Sequence, residues 1–198
     1  MDTLNLLGQL LPFAFASGIN LYATVAVLGL CSRFGLLDLP VALQAFDNPY
    51  LIGAALAMYL VEFVVDKIPW LDSLWDGLHT VVRPIGGALV AVTALGDASP
   101  GLETLAALVG GSVALTSHLA KAGTRAAVNA SPEPFSNWFL SLAEDVFVVG
   151  LSYVSLQYPL VALAVVGVLL ALILATASIL IRALRRRTAS ASRRQAAQ

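Results

Sequence analysis

Apolar residues fill long blocks of this chain, and charge, proline and glycine interrupt them at a few points. Six blocks are legible, at about 4–32, 50–66, 84–97, 102–122, 136–156 and 158–181. A helix that spans a bilayer needs roughly 20 mainly apolar residues, so six blocks predict about six spans. Asp38, Pro40, Asp47 and Pro49 separate the first two blocks, and Lys67 and Pro69 close the second. Arg83-Pro84 opens the third, because proline suits the first turn of a helix. GDASPG at 96–101 reads as a tight turn. Ser131-Pro132 reads as an N-cap followed by proline, and Gln157-Tyr158-Pro159 as a short turn. The predicted fold is an all-α transmembrane bundle, with one integral domain over 1–181 and a basic tail over 182–198.

Two stretches depart from a plain span. In WLDSLWDGLHTVVR (70–83), Trp70, Leu71, Leu74, Trp75, Leu78, Val81 and Val82 recur at helical spacing. Asp72, Asp76, His79 and Arg83 fall on the opposite face. This pattern predicts an amphipathic helix lying in the cytoplasmic interface, anchored by its tryptophans. SGIN at 17–20, inside the first block, is either a local unwinding point or a close-packing site, with packing the preferred reading.

Composition narrows the class. Hydrophobic types make up 59% and charged types 12%, with a mean hydropathy of +0.85. Soluble domains run near 45–50% apolar and about 25% charged. A cytosolic enzyme, a disordered chain and a nucleic-acid binder are excluded, and a polytopic membrane protein remains. The net charge of −1 hides an asymmetry: Arg182, Arg185, Arg186, Arg187, Arg193 and Arg194 supply six of the eleven basic residues. That short polar tail is expected to be disordered and cytoplasmic. With six spans, the positive-inside rule then places both termini in the cytoplasm and leaves only Arg33 outside. The expected location is a bacterial inner membrane. The lone Cys31 excludes an internal disulfide. MDTLNLL carries no basic n-region, so no cleaved signal peptide is expected.

The candidate chemistry lies in polar residues within apolar blocks. Glu144 and Asp145 sit about nine residues into the fifth block, some ~13 Å deep at 1.5 Å per residue. Glu62 lies inside the second block, with Asp66 one turn later. A central charge costs roughly 2.5–3.5 kcal/mol on the insertion scale, so these acids must be paired, protonated or hydrated. Stripes support an inward position: Ser17, Asn20 and Thr24; Tyr59, Glu62 and Asp66; Asn137, Ser141, Asp145, Ser152 and Ser155. His118, Lys121 and Arg125 follow at i, i+3 and i+7, with Ser112, Thr116 and Ser117 above them. The sixth block has almost no polar residue and should face lipid. Pairing the acids with Lys121, Arg125 and Arg83 would make buried salt bridges that fix packing. Adjacent carboxylates at low dielectric would instead make a proton- or cation-responsive site.

Metal binding has little support, because His79 and His118 form no HExxH or close pair, and no cofactor is expected. Glu144-Asp145 resembles half of a paired-glutamate protease motif. Val148 and Val149 stand where its arginine would follow, and no GxSxG occurs.

The blocks FASGINLYATV (15–25), EFVVDKIPWLDSLWDGLHTVVRPIGGAL (62–89) and KAGTRAAVNASPEPFSNWFLSLAED (121–145) resemble an uncharacterised bacterial family of small polytopic membrane proteins, a domain of unknown function. The resemblance covers most of 4–156 and implies no particular activity.

The leading expectation is a small transporter or permeation pathway with a proton- or cation-responsive acidic site. Its candidates are Glu62, Asp66, Glu144, Asp145, Asn20, His118 and Lys121. A noncatalytic scaffold is the alternative. An enzyme acting on lipid head groups ranks third; it would use Asp72, Asp76, His79, Arg83 and Arg125 at the cytoplasmic face, with Lys121. Expected partners are membrane lipids and a proton, small cation or small molecule, without nucleic acid. Gly86-Gly87 and Gly110-Gly111-Ser112 permit close helix contact within one chain or between copies, which leaves a homo-oligomer open.

Overall fold

The computed structural model describes residues 3–37, 39–130 and 135–195. Among the described residues seven α-helices make up the bundle: α1 (Thr3–Ile19), α2 (Leu21–Arg33), α3 (Pro49–Val65), α4 (Pro69–Leu95), α5 (Pro100–Asn129), α6 (Phe135–Gln157) and α7 (Pro159–Gln195). A 3-10 turn, Val41–Phe46, joins α2 to α3. By length and composition α4, α5, α6 and the Pro159–Ala183 part of α7 can cross a membrane, while α1, α2 and α3 are shorter apolar helices. The starts follow the sequence signals. Proline opens α3, α4, α5 and α7, where its missing N–H has no intrahelical partner to lose. The Asn48 side chain caps α3 by accepting from the Tyr50 and Leu51 amides. Gly96 ends α4 with φ 72, in the region that favours glycine. Asp38 and the Ser131-Pro132 cap lie outside the described residues.

The first apolar block is not one span. Asn20 takes an extended conformation (φ −147, ψ 97) between α1 and α2. Its side-chain oxygen accepts from the Ala23 amide at 2.9 Å and so caps α2. The contacts of the two helices give their directions. Gly8 abuts Pro159, and Leu10 clusters with Ala91 and Ala106. Gly18 lies against Ala114 and Ser117, halfway along α5. Tyr22 meets His79, and Leu28 returns to a cluster with Leu43, Phe46, Val90 and Ala94. Helices α1 and α2 therefore form a hairpin that dips to mid-bundle and comes back. Both of its arms start from the end that carries the α4–α5 and α6–α7 turns, here called the head end.

At the opposite, tail end lie the α3–α4 turn, the start of α6, and Leu180 of α7 beside Gly123 and Thr124 of α5. The start of α1 and the arginine-rich end of α7 consequently lie at opposite ends. Six helices running the full length of the bundle would put both at one end; the returning hairpin puts them at opposite ends.

A second correction concerns 70–83 and 84–97, which form the single helix α4 with Pro84 inside it. A proline is tolerated within a membrane helix where neighbouring helices re-satisfy the backbone. Trp70, Leu74, Leu78 and Val81 face outward, whereas Asp72, Asp76, His79 and Arg83 are buried. The amphipathic pattern is real, but its polar face points into the bundle and not at a membrane surface. The α4–α5 seam is close because Gly87 and Gly110 leave no Cβ between the helices; a methyl group at either would overlap Ala114 or Ala91.

Helix α7 packs Ala162 and Val166 against Phe15 and Ala16, while much of its remaining apolar surface is exposed. It continues as helix to Gln195, where the composition points to disorder. Alanine and arginine favour a helix, and no glycine or proline follows Gly167.

Candidate functional site

Helical spacing on four elements and the hairpin tip converges in one place. Helix α4 contributes Asp72, Asp76, His79 and Arg83; α5 contributes His118, Lys121, Arg125 and Asn129. Glu62 and Asp66 come from the end of α3, and Asn137, Glu144 and Asp145 from α6. The tip supplies the Gly18 and Ile19 carbonyls and the Asn20 side chain.

Three bases organise the network, and each touches several helices. Arg83 Nη2 donates to Glu62 Oε1 at 2.5 Å; its Nη1 donates to His118 Nδ1 at 2.9 Å and to the Gly18 carbonyl at 3.3 Å. Asp76 Oδ1 is 3.5 Å from Nη1. Lys121 Nζ is ringed by four oxygens: the Ile19 carbonyl at 3.2 Å, Glu62 at 3.3 Å, Asp66 at 3.4 Å and Glu144 at 3.6 Å. Arg125 donates to Asp66 Oδ2 at 2.7 Å, to Glu144 Oε2 at 3.1 and 3.2 Å, and to Asn137 Oδ1 at 2.6 Å. Its Nε is also 4.0 Å from Asp72, whose other oxygen accepts from Asn129 at 2.6 Å. Arg83 and Lys121 together occupy the carbonyls at the end of α1, where the helix dipole is negative.

Both histidines are tied down. A guanidinium only donates, so His118 Nδ1 accepts from Arg83 and the ring proton sits on Nε2, facing the Asp76 carbonyl at 3.1 Å. His79 Nδ1 donates to the Trp75 carbonyl at 2.8 Å, which leaves Nε2 to accept from the Tyr22 hydroxyl at 3.0 Å. The His79 ring stacks on Trp75 with centroids 4.5 Å apart.

Asp145 differs from the other acids. Its Oδ1 accepts from Asn20 Nδ2 at 3.0 Å, while its buried Oδ2 makes no hydrogen bond. Glu62 Oε2, Asp66 Oδ1, Asp72 Oδ1 and Asp76 Oδ1 are likewise buried without a hydrogen bond, so what sets Asp145 apart is that no basic nitrogen lies within 4.0 Å of it. The cluster as a whole carries six acids (Glu62, Asp66, Asp72, Asp76, Glu144 and Asp145) against three buried bases. Lys67 stands at its edge, between the Phe63 carbonyl at 2.8 Å and Ser141 at 3.5 Å. Partial burial lowers its pKa below the usual lysine value, and Asp145 and Asp66 oppose that shift.

Eleven of the twelve candidate residues named from the sequence meet in this one network, and His79 lies beside it, bonded to Tyr22 and Trp75. The division into a mid-membrane set and a separate cytoplasmic-face set does not hold. Asp72, Asp76, His79, Arg83 and Arg125 are buried, because α4 turns its polar face toward α5. The anticipated pairing of the acids with Arg83, Lys121 and Arg125 is present. The stripe Ser17, Asn20, Thr24 is buried, as are the five α6 residues from Asn137 to Ser155. Ser112 and Thr116 lie outside the network and bond to their own helix. Two partners escaped the sequence reading. Asn129 continues the α5 stripe one turn beyond Arg125, so its spacing could have shown it. Tyr22 sits in an apolar run that carries no such signal.

Hollows are found away from this network. A groove of about 640 Å³ separates α5 from α7 at Leu119, Gly123, Ile173 and Leu180. A cleft of about 450 Å³ between α3 and α4 exposes α2 at Leu21, Tyr22 and Val25. Both have mainly apolar walls.

Residues 7–178 match a family described as a domain of unknown function (DUF4126). No curated protein and no solved structure matches the chain. The match spans most of the chain and takes in every residue of the charged network, so the protein belongs to the DUF4126 family.

Proposed function

We propose that the protein is a small membrane transporter or permeation pathway whose intramembrane acidic site responds to protons or cations. The observation that carries this reading is the charge imbalance of the cluster: six acids face three buried bases and the half-buried Lys67 at its edge. Unbalanced charge at that depth is costly, so protons or a cation must make up the difference. A helix that breaks at mid-bundle supports the same reading, since discontinuous helices with exposed dipole ends recur at transport sites. The tail end, with its arginines, is assigned to the cytoplasm of a bacterial inner membrane. The start of α1 and Arg33, paired with Asp47 at 3.2 Å, then face outward.

A scaffold is the second reading, favoured by the dense pairing of Arg83, Lys121 and Arg125. Lipid head-group chemistry is less well supported, because both histidines spend their ring nitrogens on internal partners. Purified protein in vesicles with trapped proton-, sodium- and potassium-sensitive dyes, under an imposed membrane potential, separates the first two readings. The transport reading expects a proton, sodium or potassium flux above that of protein-free vesicles. Folded protein with no such flux would overturn it in favour of the scaffold.

A further inference from the structure

Among the six acids of the network, five have a basic nitrogen within 4.0 Å. Glu62 has Arg83 and Lys121, Asp66 and Glu144 have Lys121 and Arg125, Asp76 has Arg83, and Asp72 has Arg125. Asp145 has no ion pair of this kind. It is 6% exposed, holds the hairpin through Asn20, and leaves Oδ2 without a hydrogen bond. We propose that Asp145 is the proton-binding group of the site, and that its protonation loosens the hairpin tip through Asn20. The inference rests on the transport reading for its purpose and on the Asp145 geometry for its chemistry.

The surroundings favour a proton over a metal or alkali ion. Such an ion needs several oxygens converging on it, whereas a proton needs one acceptor. Asn20 presents its N–H₂ to Asp145 and commits its oxygen to the Ala23 amide. Among the described residues no three His, Cys, Asp or Glu side chains form a metal-binding group. The groups facing Asp145 are Tyr59, Glu62, Asp66 and Lys67 around α3, Lys121 on α5, and Glu144 on its own helix. The three acids among them serve bases already. Lys121 is shared by three other carboxylates, and Lys67 sits over the Phe63 ring. Tyr59 turns its hydroxyl toward the Asp145 carboxylate, a neutral contact, and neither lysine stands within ion-pair distance of it.

The step is a proton transfer alone. A hydronium O–H bond breaks and an O–H bond forms at Oδ2, a water molecule is left behind, the carboxylate becomes a neutral acid, and nothing is oxidised or reduced. The N–H···O bond from Asn20 then loses its charge assistance, which is the stronger part of such a bond. The tip residues Gly18 to Ala23 lose one of their ties to α6, while Arg83 and Lys121 still hold the Gly18 and Ile19 carbonyls.

The test uses full-length protein in lipid nanodiscs. A pH titration by infrared difference spectroscopy should show a protonated-carboxyl C=O band that Asp145→Asn abolishes. After correction for intrinsic exchange, amide hydrogen exchange over residues 18–24 should quicken at low pH by on the order of tenfold, the scale of one charged hydrogen bond. In Asp145→Asn that pH dependence should vanish. If Asp145→Asn does not fold, Asn20→Ala serves instead: it should keep the band and lose the pH-dependent exchange. A band that survives in Asp145→Asn overturns the assignment, and so does tip exchange that depends equally on pH in wild type and Asn20→Ala. Band and tip changes without any ion flux would sustain Asp145 and defeat the transport reading. Flux with an unaltered band in Asp145→Asn would do the reverse.

Discussion

The head and tail halves of the bundle are held together by different forces. Toward the head end, the arms of the hairpin meet α4 and α5 through Leu10, Phe13, Leu28, Val90, Ala91, Ala94 and Ala106. Toward the tail end, the same helices meet through arginine, lysine and carboxylates. Apolar packing gains little from burial when the surrounding solvent is lipid, so the head half depends on close fit. The tail half depends on balanced charge, and an error there leaves a charge stranded. The hairpin tip is the border: Gly18 fits tightly against α5 while its carbonyl accepts from Arg83.

The largest effect should therefore come from the tail half. Glu62→Ala strands Arg83 and weakens the ring around Lys121, and loss of one partner of a buried pair costs about 3–5 kcal/mol. Reversible unfolding in mixed micelles measures it. The sharper form adds Arg83→Leu to Glu62→Leu: the double variant should lose clearly less than the sum of the two singles. Simple additivity would show that the ion pair is not the tie between α3 and α4, and the contrast between the halves would fail.

A smaller loss is expected in the head half from Gly110→Ala. The added methyl group meets Ala91, and the Gly87 carbonyl stands close behind it. Overpacking of this kind costs about 1–3 kcal/mol. Gly53→Ala is the control on α3, where a Cβ meets nothing within 4 Å. There the gain in helix propensity, at most about 1 kcal/mol, should raise stability in the same unfolding assay. Equal losses at both positions would mean that close fit is not what secures the α4–α5 seam.

The sequence made some of this legible and hid the rest, for physical reasons. The stripes on α3, α5 and α6 were readable because a helix repeats its faces every few residues, and polar groups in an apolar run must turn inward. The pairing of acids with Arg83, Lys121 and Arg125 followed from the same cost of stranded charge. The hairpin was not readable. The run 4–32 has the length and hydropathy of a span, and only Asn20 marks the reversal; a cap and a packing residue look alike at that position. That single residue also decides at which end of the bundle α1 starts relative to the end of α7. Arg83-Pro84 misled in the other direction: a proline that usually opens a helix lies inside α4, between the charged network before it and the close α4–α5 seam after it.

The smallest effect tests the border itself. Ser117 donates to the Phe15 carbonyl at 2.8 Å and to its own helix at Ala114, and so links α5 to the hairpin by one neutral hydrogen bond. Interhelical hydrogen bonds within membranes average about 0.6 kcal/mol, because the alternative states also find partners. Ser117→Ala should cost about that much by the same unfolding measurement, several-fold less than Glu62→Ala. It should also leave the Asp145 band in place, since no atom of Ser117 bonds to that group. A loss as large as that of Glu62→Ala would mean that neutral hydrogen bonds, and not ion pairs, carry the hairpin. The charged half would then have no structural claim to its three bases, and their presence would have to be explained by transport alone.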